Sequence, residues 1–233
     1  MNNFAQTLGT YRSPFQSISN SRGLQALTLL TGAGLSLLIT RGLLTGNWWF
    51  FIMLTWNLFL AWFPLGVVLV LRDLRAAGFR QTWLLIAGLA GWLAFVPNAP
   101  YIITDLFHIK NLQDSLLWFD TMTLFLFALT GLLAGLYSTL LVHRMIRPLT
   151  GWGLAWLLMI GCQLLSGFGI YLGRFGRWNS WHILTRPSSL LNAVTSSYQD
   201  HLSMKLTLSY GFVLTVLYVA FHWYVEQDSD AKA

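Results

Sequence analysis

Two short polar segments hold most of the side chains in this sequence that can do chemistry. The first is Phe95-Val96-Pro97-Asn98-Ala99-Pro100-Tyr101-Ile102-Ile103-Thr104-Asp105-Leu106-Phe107-His108. On a helix, Asp105 and His108 stand three residues apart on one face, where a carboxylate and an imidazole supply acid–base or hydrogen-bonding groups to one ligand. Upstream, Pro97 and Pro100 each remove a helical N–H donor, which leaves the carbonyls of Leu93 and Val96 without their usual partners. Asn98 suits a cap and Pro100 a first turn, so a second half-helix is expected to start there and to present free N–H groups, with Tyr101 beside them, to an anion or polar ligand. The second segment is Gly173-Arg174-Phe175-Gly176-Arg177-Trp178-Asn179-Ser180-Trp181-His182. If a helix runs through it, Arg174 and Arg177 share a face and Arg174 lies one turn from Trp178. That arrangement suits a phosphate or carboxylate headgroup and cation–π stacking, with Asn179 and Trp181 completing the candidate binding set.

Both segments also have a plain reading. The first is a proline kink with local hydrogen bonds, and the second is a pair of snorkelling arginines in an aromatic belt. Asp120 adds weight to the chemical reading. It falls six residues past Asp114, about 9 Å into an apolar stretch at 1.5 Å per residue. An unpaired carboxylate there costs about 2.5–3.5 kcal/mol at mid-depth in a membrane, and less near the edge, so Asp120 should face other helices and find an arginine. Zinc can take Asp105, His108 and His182, but no two histidines have metal-site spacing on one helix, and neither a metal nor a cofactor is expected. The single cysteine, Cys162, excludes an intramolecular disulfide and a cysteine-based metal site. Phosphate-binding glycine loops, zinc-protease helices and nucleophile elbows are absent.

The elements that must position these residues follow from composition. Charged residues make up 9% of the 233 residues and hydrophobic ones 55%, with 15% aromatic. An average soluble domain is about 25% charged. Such a chain exceeds what one water-facing core can bury, and its solvent must be lipid. At about 20 apolar residues per crossing, the length allows six helices and no sizeable soluble domain. The expected fold is therefore all-α and polytopic, a single integral membrane domain over residues 1–233. The spans fall at 24–40, 47–71, 83–103, 115–142, 151–172 and 206–225, the third broken by proline. The first window is longer than the roughly 7–15 apolar residues of a signal peptide, and Ile39-Thr40-Arg41-Gly42 offers no cleavage site, so it reads as a retained helix. Short loops two and four carry five basic residues (Arg72, Arg75, Arg80, Arg144, Arg147), against two in loops one and three (Arg41, Lys110). Both termini are then cytoplasmic, in the cell inner (plasma) membrane.

With loops three and five on the same extracytoplasmic side, Asp105, His108, Asp114 and Asp120 can meet Arg174, Arg177 and His182. Between the fifth and sixth spans, Pro187 can open a short interfacial helix with Leu190, Leu191, Val194, Tyr198 and Leu202 on one face. Asn57 and Gln163, near mid-bilayer, suit hydrogen bonds across helices, and Gly131-x-x-x-Gly135 and Gly169-x-x-x-Gly173 permit close helix approach. The net charge of +6 follows from this topology; no basic run marks a nucleic-acid partner.

Pro97-Asn98-Ala99-Pro100-Tyr101 with Thr104-Asp105 and His108, and Gly173-Arg174-Phe175 with Arg177-Trp178-Asn179-Ser180-Trp181, resemble a family of bacterial predicted integral membrane proteins, the domain-of-unknown-function family 1361. The resemblance runs from about the second helix to the chain end and implies no assigned activity. The family pattern commonly has Asp after the second tryptophan, where this chain has His182, which lowers the zinc reading further. The leading expectation is a polar extracytoplasmic site for an anionic, lipid-linked or glycan substrate, in contact with membrane lipids. A small transporter, with the broken helix as its substrate element, and a non-catalytic assembly or scaffold subunit are the alternatives.

Overall fold

A computed structural model describes residues 22–79, 81–111 and 116–230, without the side chains of 108–111 and 227–230. The side chains of His108 and Lys110, together with Arg80 and Asp114, therefore lie outside the described residues. Among the described residues there are helices and no strands. The elements are α1 (Arg22–Thr45), α2 (Trp49–Ala76), α3 (Thr82–Phe95), α4 (Asn98–Tyr101), a 3-10 helix (Ile102–Asn111), α5 (Leu117–Thr150), α6 (Trp152–Arg174), α7 (His182–Thr185), α8 (Pro187–Ser197) and α9 (His201–Asp230).

Six stretches are long and apolar enough to cross a membrane: Arg22–Thr45, Trp49–Ala76, Thr82–Phe107, Leu117–Thr150, Trp152–Arg174 and His201–Glu226. Large apolar side chains such as Leu29, Ile52, Ile86, Phe125, Leu157 and Phe212 lie exposed around the outside of the bundle. A water-soluble protein does not display that much contiguous apolar surface, whereas lipid tails solvate it at no cost. The chain is an integral membrane protein of multi-pass type.

The helices alternate in direction. Arg41, near the end of α1, meets Asp120, near the start of α5, while His143 and His222, both near the ends of their helices, meet at the opposite end of the bundle. Loops one, three and five therefore share one side. The turn between α5 and α6 is only Gly151, whose φ of 81° lies in the left-handed region that a side chain would disfavour. Such a short link makes α5 and α6 antiparallel neighbours.

α5 is the hub of the bundle. Of its apolar window 61% is buried, against 17% for α9 at the periphery. One core cluster joins Leu38 of α1, Leu54 and Leu58 of α2, Ala99 and Ile102 of the broken span, and Leu124 and Phe127 of α5. Another joins Trp92 of α3, Leu140 of α5, Met159 of α6 and Tyr218 of α9. α6 and α9 approach closely at Gly167, where an added Cβ would meet the Thr207 carbonyl oxygen at 2.6 Å.

The third span departs from the expected half-helix. After Phe95 the chain makes the single turn α4 and then tightens into a 3-10 helix. The Ala99 N–H takes up the Val96 carbonyl at 3.1 Å, restoring one of the two acceptors the prolines strand, and Thr104 Oγ1 donates to the Tyr101 carbonyl at 2.7 Å. Asn98 does not cap this turn. Its side chain reaches across to the Ser180 hydroxyl at 3.0 Å instead. α6 likewise stops at Arg174, and Arg177 has a φ of 54°, so the two arginines share no helical face. α8 begins at Pro187 as expected but ends at Ser197, so Leu202 of the expected interfacial face belongs to α9.

Candidate functional site

The proline break is held in place by two glycine stripes. On α5, a Cβ at Gly131 would meet the Ala99 carbonyl oxygen at 2.7 Å and one at Gly135 the Ala99 Cβ at 2.8 Å. On α6, a Cβ at Gly169 would meet the Pro97 ring at 2.6 Å and one at Gly173 the Tyr101 ring at 3.0 Å. Only glycine allows the irregular backbone to lie this close to both helices. Non-helical backbone at membrane depth is tolerated where protein buries it, and here two helices do so.

Beside the clamp lies a cavity of about 250 Å³. α2 contributes Trp56 and Asn57, the break contributes Asn98 and Tyr101, and the connection after α6 contributes Trp178, Asn179 and Ser180. Leu165, Phe168 and Leu172 of α6 with Ile183 and Leu190 form an apolar wall. Three of the lining residues, Trp56, Leu165 and Ile183, are also exposed at 51%, 53% and 44% on the outer surface of the bundle. Part of the cavity lining therefore also belongs to the exposed surface of the bundle.

Asp105 sits next to this cavity but does not line it. It is 2% exposed and receives a 2.7 Å hydrogen bond from Asn57 Nδ2, while its other oxygen lies 3.8 Å from Arg174 Nη1. The Arg174 guanidinium also stands 5.5 Å from the Phe107 ring centroid. One buried carboxylate so ties α2, the broken span and the end of α6 together. A charge at that depth is tolerated when it is paired and hydrogen-bonded.

Asp120 belongs to a second buried pair. It receives Arg41 Nε at 2.5 Å and Nη2 at 3.0 Å, a bidentate geometry, with the guanidinium 4.3 Å from the Phe50 ring centroid. The arginine that the Asp120 depth demands is therefore Arg41, not Arg174 or Arg177. Arg177 is exposed, one residue before Trp178. Trp181 stacks edge-on against Trp56 with centroids 6.1 Å apart. His182 Nδ1 accepts the Asn179 backbone N–H at 3.1 Å. Among the described residues, no group of three or more His, Cys, Asp or Glu side chains is placed to hold a metal ion.

Of the residues marked by the sequence, Asn98, Tyr101, Trp178 and Asn179 come together on the cavity, Asp105 and Arg174 pair behind it, and Asp120 lies apart with Arg41. Trp56 lines the cavity without a mark in the sequence, Ser180 belongs to the second polar segment but not to its candidate binding set, and Asn57 is both a lining residue and the partner of Asp105. For Asn57, its polar side chain within an otherwise apolar span was the available signal. A further polar cluster had no signal beyond scattered ionisable residues. At the opposite end of the bundle, His143 Nδ1 lies 2.6 Å from the Tyr218 hydroxyl, and His222 Nε2 lies 3.5 Å from Glu226.

Comparison with curated proteins and with solved structures finds no match for the chain. The family described as Protein of unknown function (DUF1361) matches residues 56–217, which include both the proline break and the Gly173–Trp181 segment, and with well over half of its length matched the chain belongs to that family.

Proposed function

We propose that this membrane protein binds the polar head of a lipid-linked substrate in the cavity beside the proline break, at the extracytoplasmic face of the cell inner membrane, with both termini cytoplasmic. The observation that carries this reading is that Trp56, Leu165 and Ile183 both line the partly polar cavity and are exposed on the bundle surface, so that a lipid could reach the cavity between them. A ligand that enters there can keep its apolar tail among lipids while its head meets Asn98, Tyr101, Trp178 and Asn179. Asp105 acts through position: by holding Asn57 and Arg174 it fixes two walls of the cavity. Arg177, exposed next to Trp178, is available to an anionic group at the rim.

The pairing of Asp105 with Asn57 and Arg174 also suits a scaffold subunit whose polar residues only staple helices. The cavity beside the pair places the binding reading ahead. Arg174→Ala and Asp105→Ala variants that insert and express normally should lose the phenotype rescued by the wild-type gene. Full rescue by both removes the proposal. Reporter fusions in loops two, three and five test the orientation, and cytoplasmic signals from loops three and five would reverse it.

A further inference from the structure

Among the described residues the lining of the cavity carries no formal charge. None of its described residues is Asp, Glu, Lys, Arg or His, and Asp105 and Arg174 are set against each other behind the wall. A phosphate or carboxylate drawn into such a space would lose its hydration without gaining a cation. What the walls offer is neutral hydrogen-bonding capacity beside aromatic rings. The side chains of Asn179 and Tyr101 make no hydrogen bond to other protein groups among the described residues, and the Asn98 amide uses only one donor, on Ser180. Amides and hydroxyls both donate and accept, which matches a ligand whose own hydroxyls do the same. Indole and phenol rings at Trp56, Trp178 and Tyr101 supply flat apolar faces for the C–H side of such a ligand.

We propose that the head bound in this cavity is an uncharged, hydroxyl-rich ring, the glycosyl group of a glycolipid. This rests on the cavity being a lipid-headgroup site as proposed. Anionic lipids are excluded from the cavity itself by its neutral walls and reach only the rim at Arg177.

The test uses the full chain in phosphatidylcholine nanodiscs titrated with monoglucosyl diacylglycerol, with phosphatidic acid of the same acyl chains, and with free glucose, bound ligand being counted by native mass spectrometry. Tyr101→Phe and Asn179→Ala remove single polar groups that hold no other part of the protein. Saturable binding of the glucosyl lipid, weakened about fivefold by either substitution, is the expected result, one net hydrogen bond being lost in each. Phosphatidic acid binding that exceeds it and is weakened by the same substitutions overturns the glycosyl assignment while leaving the cavity a lipid site. Free glucose binding as tightly as the glucosyl lipid keeps the assignment and removes the lipid-linked reading. If neither lipid nor glucose responds to the substitutions, both fall.

Discussion

Replacing Asp120 by leucine removes one half of the most closely coordinated ion pair among the described residues. Asp120 is 1% exposed and accepts two hydrogen bonds from Arg41, itself 9% exposed, whose Nη1 has no hydrogen-bond partner among the described residues. After the substitution the guanidinium keeps the Phe50 face but loses its carboxylate, and a buried charge left without its counter-ion costs about 3–5 kcal/mol. Both residues lie within the last or first two turns of their helices, where water penetrates most easily, so the lower end applies: about 3 kcal/mol, roughly a hundredfold in the folding equilibrium. Replacing both residues, Arg41→Met with Asp120→Leu, removes the stranded charge and should recover most of that loss or exceed wild type. Cys162 is the only thiol in the chain, so a thiol-reactive dye can follow denaturation in detergent. A single variant that loses less than about 1 kcal/mol, or a double variant as unstable as Asp120→Leu, would refute the claim that the pair is buried and mutually compensating.

Gly131→Ala and Gly169→Ala should each destabilise by about 1–3 kcal/mol, since the new methyl meets the Ala99 carbonyl or the Pro97 ring rather than a movable side chain. Gly161→Ala, which meets nothing within 4 Å, should be neutral or slightly stabilising; equal melting temperatures for all three would dismiss the clamp. Tyr171 donates to Asp200 at 2.6 Å and the Leu202 N–H at 2.8 Å, and these bonds hold the Asp200 carboxyl below its usual range. Because the folded value is the lower one, their stabilisation is complete above the unfolded value near about 3.9 and fades as pH falls through the folded value. Tyr171→Phe should therefore melt with a smaller acid-induced loss than wild type between neutral pH and pH of about 3, and parallel profiles would count against the bond.

The helices were legible because lipid demands long uncharged runs, and the positions of the breaks were legible because proline removes donors wherever it stands. What happens after a break was not. A capped half-helix and a 3-10 helix satisfy the same backbone groups, and the side chain that would cap the half-helix, Asn98, instead bonds Ser180, a residue 82 positions away. The partners of the buried charges were only half readable. Depth arithmetic required an arginine for Asp120, but Arg41 fell one residue beyond the apolar window 24–40 and was counted as a loop charge. The helix in fact continues to Thr45, which brings Arg41 inside the bundle. The glycine stripes announced close approach without naming what approaches. That they face a turn rather than a straight helix depends on the break and on the order in which helices pack.

The glycine clamp has a consequence for how the protein is made. Synthesis runs from the amino terminus, so the proline break leaves the ribosome before either surface that buries it exists. Both surfaces, Gly131–Gly135 and Gly169–Gly173, lie downstream. Until α5 and α6 have entered the bilayer, the third span must wait with its irregular backbone unsatisfied by its final neighbours, either beside the insertion machinery or near the headgroups. Its last half-turn settles only when α6 arrives. The clamp on the third span can therefore close fully only once the chain has been made to about residue 174. A chain released before that point holds the first, second and fourth spans with the third still unclamped on its α6 side, which is not a smaller version of the same fold.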